Sequence, residues 1–481
     1  MSSTATAPAI VKIPEIKKRS WATLALILVD ILALELSLLL GCLIRLFFHS
    51  FFPIALNRPQ YQGLALGILT LPLAYAWVGL YPGYGMSAVQ RIRGRVYATA
   101  TIFVVLLLWN YTLYDGQWSR GVLILTLFFA LVFAPALEAP LRKFLIRKGV
   151  CGVPVIVLGA GETGAQVAQI LQKERDLGFV LVGMLDDDSR KWGQLIHGVP
   201  VVGPLSAAEA FVGRAKVALI AIPRMQRQHL SHLVEGLSFP NVIVVPDLFG
   251  IQSLWITSRD IGGVLGLEVK KNLLLPSNRA LKQGLDYFIA LPGFLLSLPL
   301  LALFALWIRL VSPGSPFFIQ EREGKAGRRI RIIKLRTMYP AAEQLLEHHL
   351  AKHPEDRENW FRFYKLRKDP RILPGIGWFL RRYSLDELPQ LWNVLRGDMS
   401  LVGPRPFPLY HLSGFPENFR ALRSGVTPGI TGLWQVSARS DGNLEIQQRE
   451  DTYYIRNWSL WLDVYILTRT LVTVLFARGA Y

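Results

Sequence analysis

Long unbroken apolar runs open this chain and give way to shorter ones. Trp21–Phe48, Gly63–Leu80, Val96–Tyr114 and Gly121–Leu141 each approach the ~20 residues that a helix needs to cross a hydrocarbon core. They predict a four-helix transmembrane bundle over 21–148, after a polar N-terminal segment, 1–20. From 149 to about 270 the pattern shortens to apolar stretches of strand length, Val153–Leu158, Phe179–Leu185, Val217–Ile222 and Val242–Val245, alternating with helical segments such as Ala165–Lys173. That alternation predicts a doubly wound, Rossmann-like α/β domain. A further uncharged apolar stretch, Tyr287–Ile308, opens a last region, 271–481, that is basic, rich in Trp and Tyr, and broken by Gly and Pro.

Charge orients these segments. Lys17, Lys18 and Arg19 precede the first run; Arg91, Arg93 and Arg95 lie between the second and third; Arg142, Lys143, Arg147 and Lys148 follow the fourth. By the positive-inside rule both ends of the bundle face the cytoplasm. The basic cluster ahead of Trp21 precedes an apolar run too long for a cleavable signal. Asp30 and Glu35 sit within the first run, where an unshielded acid is costly, so both are expected to face the bundle interior. The Tyr287–Ile308 stretch is long enough to cross, yet Pro292 and Pro299 interrupt it and each removes a backbone donor. A crossing would also export Arg309, Arg322, Lys325, Arg328, Arg329, Arg331, Lys334 and Arg336. The segment at about 282–310 is therefore expected to bend at Pro299 and return to the cytoplasmic face.

Composition agrees with a mixed membrane and cytosolic protein: 481 residues, 52% hydrophobic and 18% charged, with a formal net charge of +19. Such a charge calls for an anionic partner, and the apolar segments favour lipid headgroups or phosphorylated substrates over nucleic acid. Cys42 and Cys151 are too few for a disulfide framework or a cysteine zinc site. His348, His349 and His353 lie among glutamates on a polar helical stretch, 341–352, and read as a solvated face. The tail around Asn457, Trp458, Trp461 and Asp463 reads as an interfacial amphipathic helix.

Two motifs can carry chemistry. Gly159, Gly161 and Gly164 form a glycine turn between a strand and a helix, with Asp186, Asp187 and Asp188 beyond the next strand, the context of a nucleotide-binding site. The same turn is also kept for packing in domains that bind nothing. The second motif is denser: Asp369-Pro370-Arg371, Arg381-Arg382-Tyr383-Ser384-Leu385-Asp386-Glu387-Leu388-Pro389, Gly397-Asp398, and Gly403-Pro404-Arg405-Pro406. Ser384 and Glu387 have the spacing of a capping box for a short helix starting at Pro389 and ending at Gly397. Capping leaves Asp386 and the arginines unexplained. An aspartate can attack phosphorus, an adjacent glutamate can help hold Mg²⁺, and arginines can clamp phosphate oxygens.

At these residues the chain resembles the large monotopic phosphoglycosyl transferases, the polyprenyl-phosphate hexose-1-phosphate transferase family, particularly undecaprenyl-phosphate galactose phosphotransferases that begin O-antigen (lipopolysaccharide) or exopolysaccharide synthesis. The resemblance spans the chain and rests on Lys334-Leu-Arg336-Thr-Met338, Lys365-Leu-Arg367-Lys-Asp369-Pro-Arg371, Ser384-Leu-Asp386-Glu387-Leu-Pro389-Gln390-Leu-Trp392-Asn393, Gly403-Pro404-Arg405-Pro406, Pro428-Gly-Ile-Thr431-Gly432-Leu-Trp434-Gln435, and the Asn457–Asp463 tail. It implies a membrane bundle, a degenerate Rossmann-like domain and an α/β monotopic catalytic domain with a re-entrant helix. It implies transfer of hexose 1-phosphate from a UDP-sugar to undecaprenyl phosphate at the bacterial inner membrane, with Mg²⁺ as cofactor. Asp386 would be the nucleophile and would share the metal with Glu387. Arg381 and Arg405 would meet the phosphates, with Lys334, Arg336 and Arg439 completing the phosphate-binding set and Gln435 and Asp451 as further polar positions of the site. The donor sugar is left open between galactose and glucose. Homodimerisation and nucleotide sensing are two tasks open to the α/β domain. Relatives often carry Ser-Pro at the bend, whereas Leu298 separates Ser297 from Pro299 here. A rival reading, a membrane-anchored NAD-dependent dehydratase or epimerase, needs a Tyr-x-x-x-Lys pair, and 151–280 holds no tyrosine.

Overall fold

The N-terminal apolar runs become helices, with one exception set by a proline. The computed structural model describes the chain apart from residues 1–19, 52–57, 114–117, 224, 246–255, 262–263, 270–271, 354–355, 358–365, 367–368, 409–413, 438–443 and 476–481. Arg439 and the Lys365 and Arg367 positions lie outside the described residues. In the first unit, Met1–Phe249, the helices Ser20–Phe47, Ala88–Leu113 and Arg120–Arg147 are long and apolar enough to cross a membrane. The second run is not one helix. It splits into Arg58–Ile68 and Leu71–Trp77, because Pro72 lacks an amide and its ring clashes with the carbonyl four residues back, at Ile68. Thr70 closes the break by donating its hydroxyl to the Gly67 carbonyl at 2.7 Å.

Arg91, Arg93 and Arg95, expected in a loop, instead form the first turns of the helix that begins at Ala88. Its start is a capping box, with Gln90 N–H on Ser87 Oγ (3.2 Å) and Ser87 N–H on Gln90 Oε1 (2.9 Å). Arg95 is buried and pairs with Asp30 at 2.6 Å, and Tyr81 donates its hydroxyl to the same carboxylate. Arg142 grips Glu138 and donates to the carbonyls of Leu80 (3.0 Å) and Pro82. Two acids and two guanidinium groups thus neutralise one another inside the bundle, the condition for burying charge there. Asp30 faces the interior as expected; Glu35 stays partly exposed. The turn held by Arg142 continues into the α/β domain, where Gly85 N–H meets Leu177 O at 2.8 Å and Arg91 donates to Asp176 O at 2.9 Å.

That domain contains β1 (Val153–Leu158), β2 (Phe179–Leu185), β3 (Leu195–Ile196), β4 (Val199–Gly203), β5 (Val217–Ile220) and β6 (Asn241–Val244) in the order β3-β4-β2-β1-β5-β6. All neighbours are parallel except β3 and β4. The doubly wound expectation holds, and β1, central in the sheet and almost wholly buried, explains its continuous apolar sequence.

The second unit, Gly250–Tyr481, contains a two-stranded antiparallel hairpin, Ile256–Ile261 with Val264–Val269. The helix Pro276–Val311 follows, continuous through Pro292 and Pro299. Its foot is held by buried polar contacts: Lys282 Nζ reaches Asp463 at 2.7 Å and Val402 O at 2.9 Å, while Asp286 accepts from Ser400 Oγ at 2.6 Å. Trp458 and Tyr454 donate to the same Asp463, at 3.0 and 2.8 Å. The interfacial expectation for this tail is corrected at Trp458 and Asp463, which are 2% and 1% exposed and belong to this buried knot. A hairpin of Phe317–Glu323 with Arg329–Leu335 and a parallel pair, Ser400–Val402 with Gly429–Thr431, supply the remaining strands. The close approach of that pair demands glycine: a Cβ on Gly429 would lie 2.0 Å from the Gly403 nitrogen.

Candidate active site

Asp386 and Glu387 sit on a single 3₁₀ turn, Leu385–Glu387, between the helices Ile376–Arg382 and Gln390–Leu395. The alternation in Leu385-Asp386-Glu387-Leu388 explains their presentation. Leu385 and Leu388 pack onto a core of Leu301, Phe304, Ile308, Leu335, Leu373, Ile376 and Leu380, leaving both carboxylates turned away from it. The apolar helix thereby forms the floor of the site. Ser384 takes a left-handed conformation (φ +54°), a strain of about 1–3 kcal/mol for a residue with a Cβ. Its side chain makes no capping bond, so the capping-box reading fails here. The following helix, Gln390–Leu395, has Pro389 as its N-cap rather than its first residue, and the left-handed Gly397 follows its C-cap, Arg396.

The two carboxylates differ sharply. Glu387 Oε1 accepts from Lys334 Nζ at 2.6 Å and from Arg405 Nη2 at 3.0 Å. Burial pushes its pKa up, but these two cations outweigh burial and hold it well below the ordinary glutamate value. Asp386 makes no hydrogen bond or ion pair among the described residues. Burial and the adjacent Glu387 charge raise its pKa against the pull of Lys334, Arg381 and Arg405. One acid is pinned and ionised; the other is unclaimed and more basic than a free aspartate.

Lys334 is positioned by its strand, Arg329–Leu335, and Asn393 ties that strand to the helix after the carboxylates. Asn393 donates to Arg331 O at 2.7 Å and accepts from Ile333 N–H at 3.2 Å, standing in for a missing neighbour strand. Arg381 lies in the last turn before the site and acts on Asp386 through its charge alone. Arg336 departs from expectation: its terminal nitrogens donate to Ser312 O (2.7 Å) and Pro313 O (2.8 Å), capping the exit of the apolar helix rather than waiting for phosphate. Asp369 and Arg371 form a closed fork at 2.6 and 2.8 Å. Gln435 donates to Ile430 O at 3.0 Å, and its buried Oε1 has no hydrogen-bond partner among the described residues. Asp451 is 2% exposed and 3.8 Å from Arg423, a residue that no motif singled out. His349 is not merely solvated, since its Nε2 lies 2.8 Å from Asp356 Oδ2.

The glycine turn of the α/β domain lines a cavity of about 660 Å³ with Asp186, Asp187, Lys191 and Glu162. Gly164 is a packing requirement, because a Cβ there would fall 1.9 Å from Gly159 O, while Gly161 has open space. Asp186, the acid placed to hold a ribose, already accepts from Ala160 N–H (2.7 Å), Asp188 N–H (2.9 Å) and Lys191 Nζ (3.0 Å). Burial opposes these contacts, yet they hold Asp186 below the usual carboxylate range. Glu162 stands in the first turn of the helix where a pyrophosphate would sit, and its charge opposes one.

The model of the bacterial sugar transferase family matches residues 277–477, and that of a CoA-binding domain matches 78–245. The chain is 34% identical over 397 residues to a UDP-galactose-lipid carrier transferase of Erwinia amylovora, covering 80% of this chain and 81% of that one. It is 32% identical over 396 residues to an undecaprenyl-phosphate galactose phosphotransferase of Salmonella typhimurium, with the same coverage. A UDP-glucose:undecaprenyl-phosphate glucose-1-phosphate transferase of Xanthomonas campestris is 32% identical over 385 residues, covering 76% of each. The chain belongs to the bacterial sugar transferase family and is a transferase enzyme.

Proposed function

We propose that this enzyme moves a hexose 1-phosphate from a UDP-sugar to undecaprenyl phosphate in two displacements at Asp386, the first membrane step of O-antigen or exopolysaccharide synthesis. An Asp386 carboxylate oxygen attacks the β-phosphorus and the bond to the bridging oxygen breaks, releasing UMP and leaving the phosphosugar on the aspartate. A phosphate oxygen of the lipid then attacks that phosphorus. The aspartate leaves as a free carboxylate and the product is undecaprenyl diphosphate sugar. The observation that carries this reading is the asymmetry of the pair: Glu387 is claimed by Lys334 and Arg405, whereas Asp386 is unclaimed and raised in basicity. Those two cations, with Arg381, offset charge as it develops on the phosphoryl oxygens. UDP-galactose is the first choice of donor because the relatives at 34% and 32% are named for galactose; the glucose relative makes UDP-glucose the second.

The free Asp386 carboxylate and the remaining Glu387 oxygen are hard donors that suit Mg²⁺, which takes one or two carboxylates and completes its shell with water and phosphate. When bound there it would supply further charge neutralisation at the diphosphate. Arg336 has no part in this scheme.

The site is set at the cytoplasmic face of the inner membrane, beside a helix that enters the bilayer without crossing it. Support comes from the contacts of that helix: Lys282 and Asp286 near its start and Leu301, Phe304 and Ile308 near its end all pack on the same unit. Phe288, Leu296 and Leu310, each more than three-quarters exposed, lie along the same helix with no protein cover. At Pro299 the carbonyl of Leu295 loses its donor, and Ser297 Oγ bonds the neighbouring Phe294 O at 2.8 Å rather than that freed carbonyl. Release of UMP from a panel of UDP-sugars, with and without lipid phosphate and Mg²⁺, tests the reaction. Asp386→Asn is expected to abolish release while leaving membrane insertion intact, and sustained release by that variant would sink the reading. Labelling at Ser315→Cys is expected from the cytoplasmic side; periplasmic reactivity would overturn the re-entrant topology.

A further inference from the structure

The segment Pro404-Arg405-Pro406-Phe407 carries one of the cations that claim Glu387, and its sequence poses a problem of support. Pro404 and Pro406 have no amide, so the segment has only two backbone donors, at Arg405 and Phe407. It is held through its carbonyls. Gly429 N–H meets Pro404 O at 3.0 Å and Glu323 N–H meets Phe407 O at 3.1 Å. Between them Arg405 O accepts from a side chain, Arg423 Nη2. That guanidinium also lies over the Phe407 ring at 4.0 Å, and its Nε faces Asp451 at 3.8 Å. Phe419, one turn earlier on the same helix (Glu417–Ser424), extends the wall through Phe415, with rings 5.1 Å apart, and Phe415 stacks on Phe407 at 5.2 Å.

Burying a cation this deeply is costly, and the arrangement is not one a purely structural ion pair would choose. Arg423 is 7% exposed and Asp451 2%, yet Arg423 Nη1 and Asp451 Oδ2 form no hydrogen bond among the described residues. The contact that Arg423 does complete is the one to the backbone of Arg405. We propose that Arg423 is a positioning residue for the transfer reaction: oriented by Asp451 and Phe407, it fixes the Arg405 backbone so that the Arg405 guanidinium meets Glu387 beside the nucleophile. A planar guanidinium suits this task, since it can donate to a carbonyl, face a carboxylate and lie on a ring at once, which a lysine ammonium cannot. Asp451 then acts at one remove, through Arg423, rather than on the substrate.

The inference rests on Asp386 being the nucleophile and is tested with the full chain in lipid nanodiscs, following UMP release. Arg423→Gln is expected to lower kcat roughly 10- to 100-fold, the usual scale for a supporting residue, with KM for the UDP-sugar little changed. Arg423→Lys, which keeps the charge and one donor, is expected to lose less. The deciding measurement is the double-mutant cycle with Arg405→Gln. If Arg423 acts through Arg405, the double variant is no slower than Arg405→Gln alone. Losses that multiply, or an Arg423→Gln enzyme with unaltered kcat, overturn the proposal. Should Arg423→Gln fail to accumulate as folded protein, the cycle run with Arg423→Lys is read the same way. Asp386→Asn separates the two levels: continued UMP release by that variant overturns the reading of the nucleophile, whereas an inert Asp386→Asn alongside multiplying losses overturns only the role of Arg423.

Discussion

The glycine turn at Gly159 and the carboxylate turn at Asp386 use their polar groups in opposite ways. The glycine turn has the cavity, about 660 Å³, and the familiar sequence pattern. Its key acid, Asp186, is nevertheless consumed by two amides and a lysine. Among the described residues the carboxylate turn leaves Asp386 without a hydrogen bond or ion pair, whereas Lys334 and Arg405 hold Glu387. Volume and motif alone point to the other region.

The comparison is broken most severely at Asp386. Asp386→Asn is expected to cost on the order of 10⁴-fold or more in UMP release, the scale seen when a reacting group is removed. Next comes Arg405→Gln, expected to cost roughly 10²- to 10³-fold as one charge-stabilising donor is lost. The pH profile sharpens the asymmetry between the acids. Asp386 must be ionised to attack and its pKa is raised, so UMP release should fall as pH drops, beginning above the ordinary aspartate range. A profile flat down to the ordinary range would remove the unclaimed aspartate from the account. The smallest effect on chemistry belongs to the glycine turn. Gly164→Ala forces a Cβ onto Gly159 O and should cost the first unit about 1–3 kcal/mol in thermal melting, while transfer per folded molecule is unchanged. Loss of transfer from a fully folded Gly164→Ala enzyme would reverse the ranking of the two regions.

Much of this was legible in the pattern of residues, and the exceptions have physical causes. Continuous apolar runs located β1, which is buried on both faces, and the long helices, whose length and composition suit a hydrocarbon core. Pro72 breaks the second run, because its effect falls four residues upstream, inside an otherwise continuous apolar stretch. The start of the helix at Ala88 was also present in the sequence, as Ser87 and Gln90 at capping-box spacing, but the following arginines masked it. Arg95 is a warning about flanking charge: counted as a topological signal, it is buried against Asp30. At the site, Asp386, Glu387, Lys334 and Arg405 were brought together as expected. Arg336 meets carbonyls instead, and Trp458, expected at the membrane interface, is buried on Asp463, because these partners are remote in sequence. Arg423 stands in no motif considered, and only its contact with the Arg405 carbonyl reveals it.

The account turns on a covalent bond at one aspartate, and that bond can be sought directly. The enzyme in nanodiscs is incubated with a UDP-sugar labelled in the sugar, with no lipid acceptor, and digested for mass spectrometry. The expected result is a hexose-phosphate adduct on Asp386 formed together with UMP, discharged when undecaprenyl phosphate is added and absent from Asp386→Asn. Transfer without any adduct, or an adduct that persists on Asp386→Asn, would contradict it.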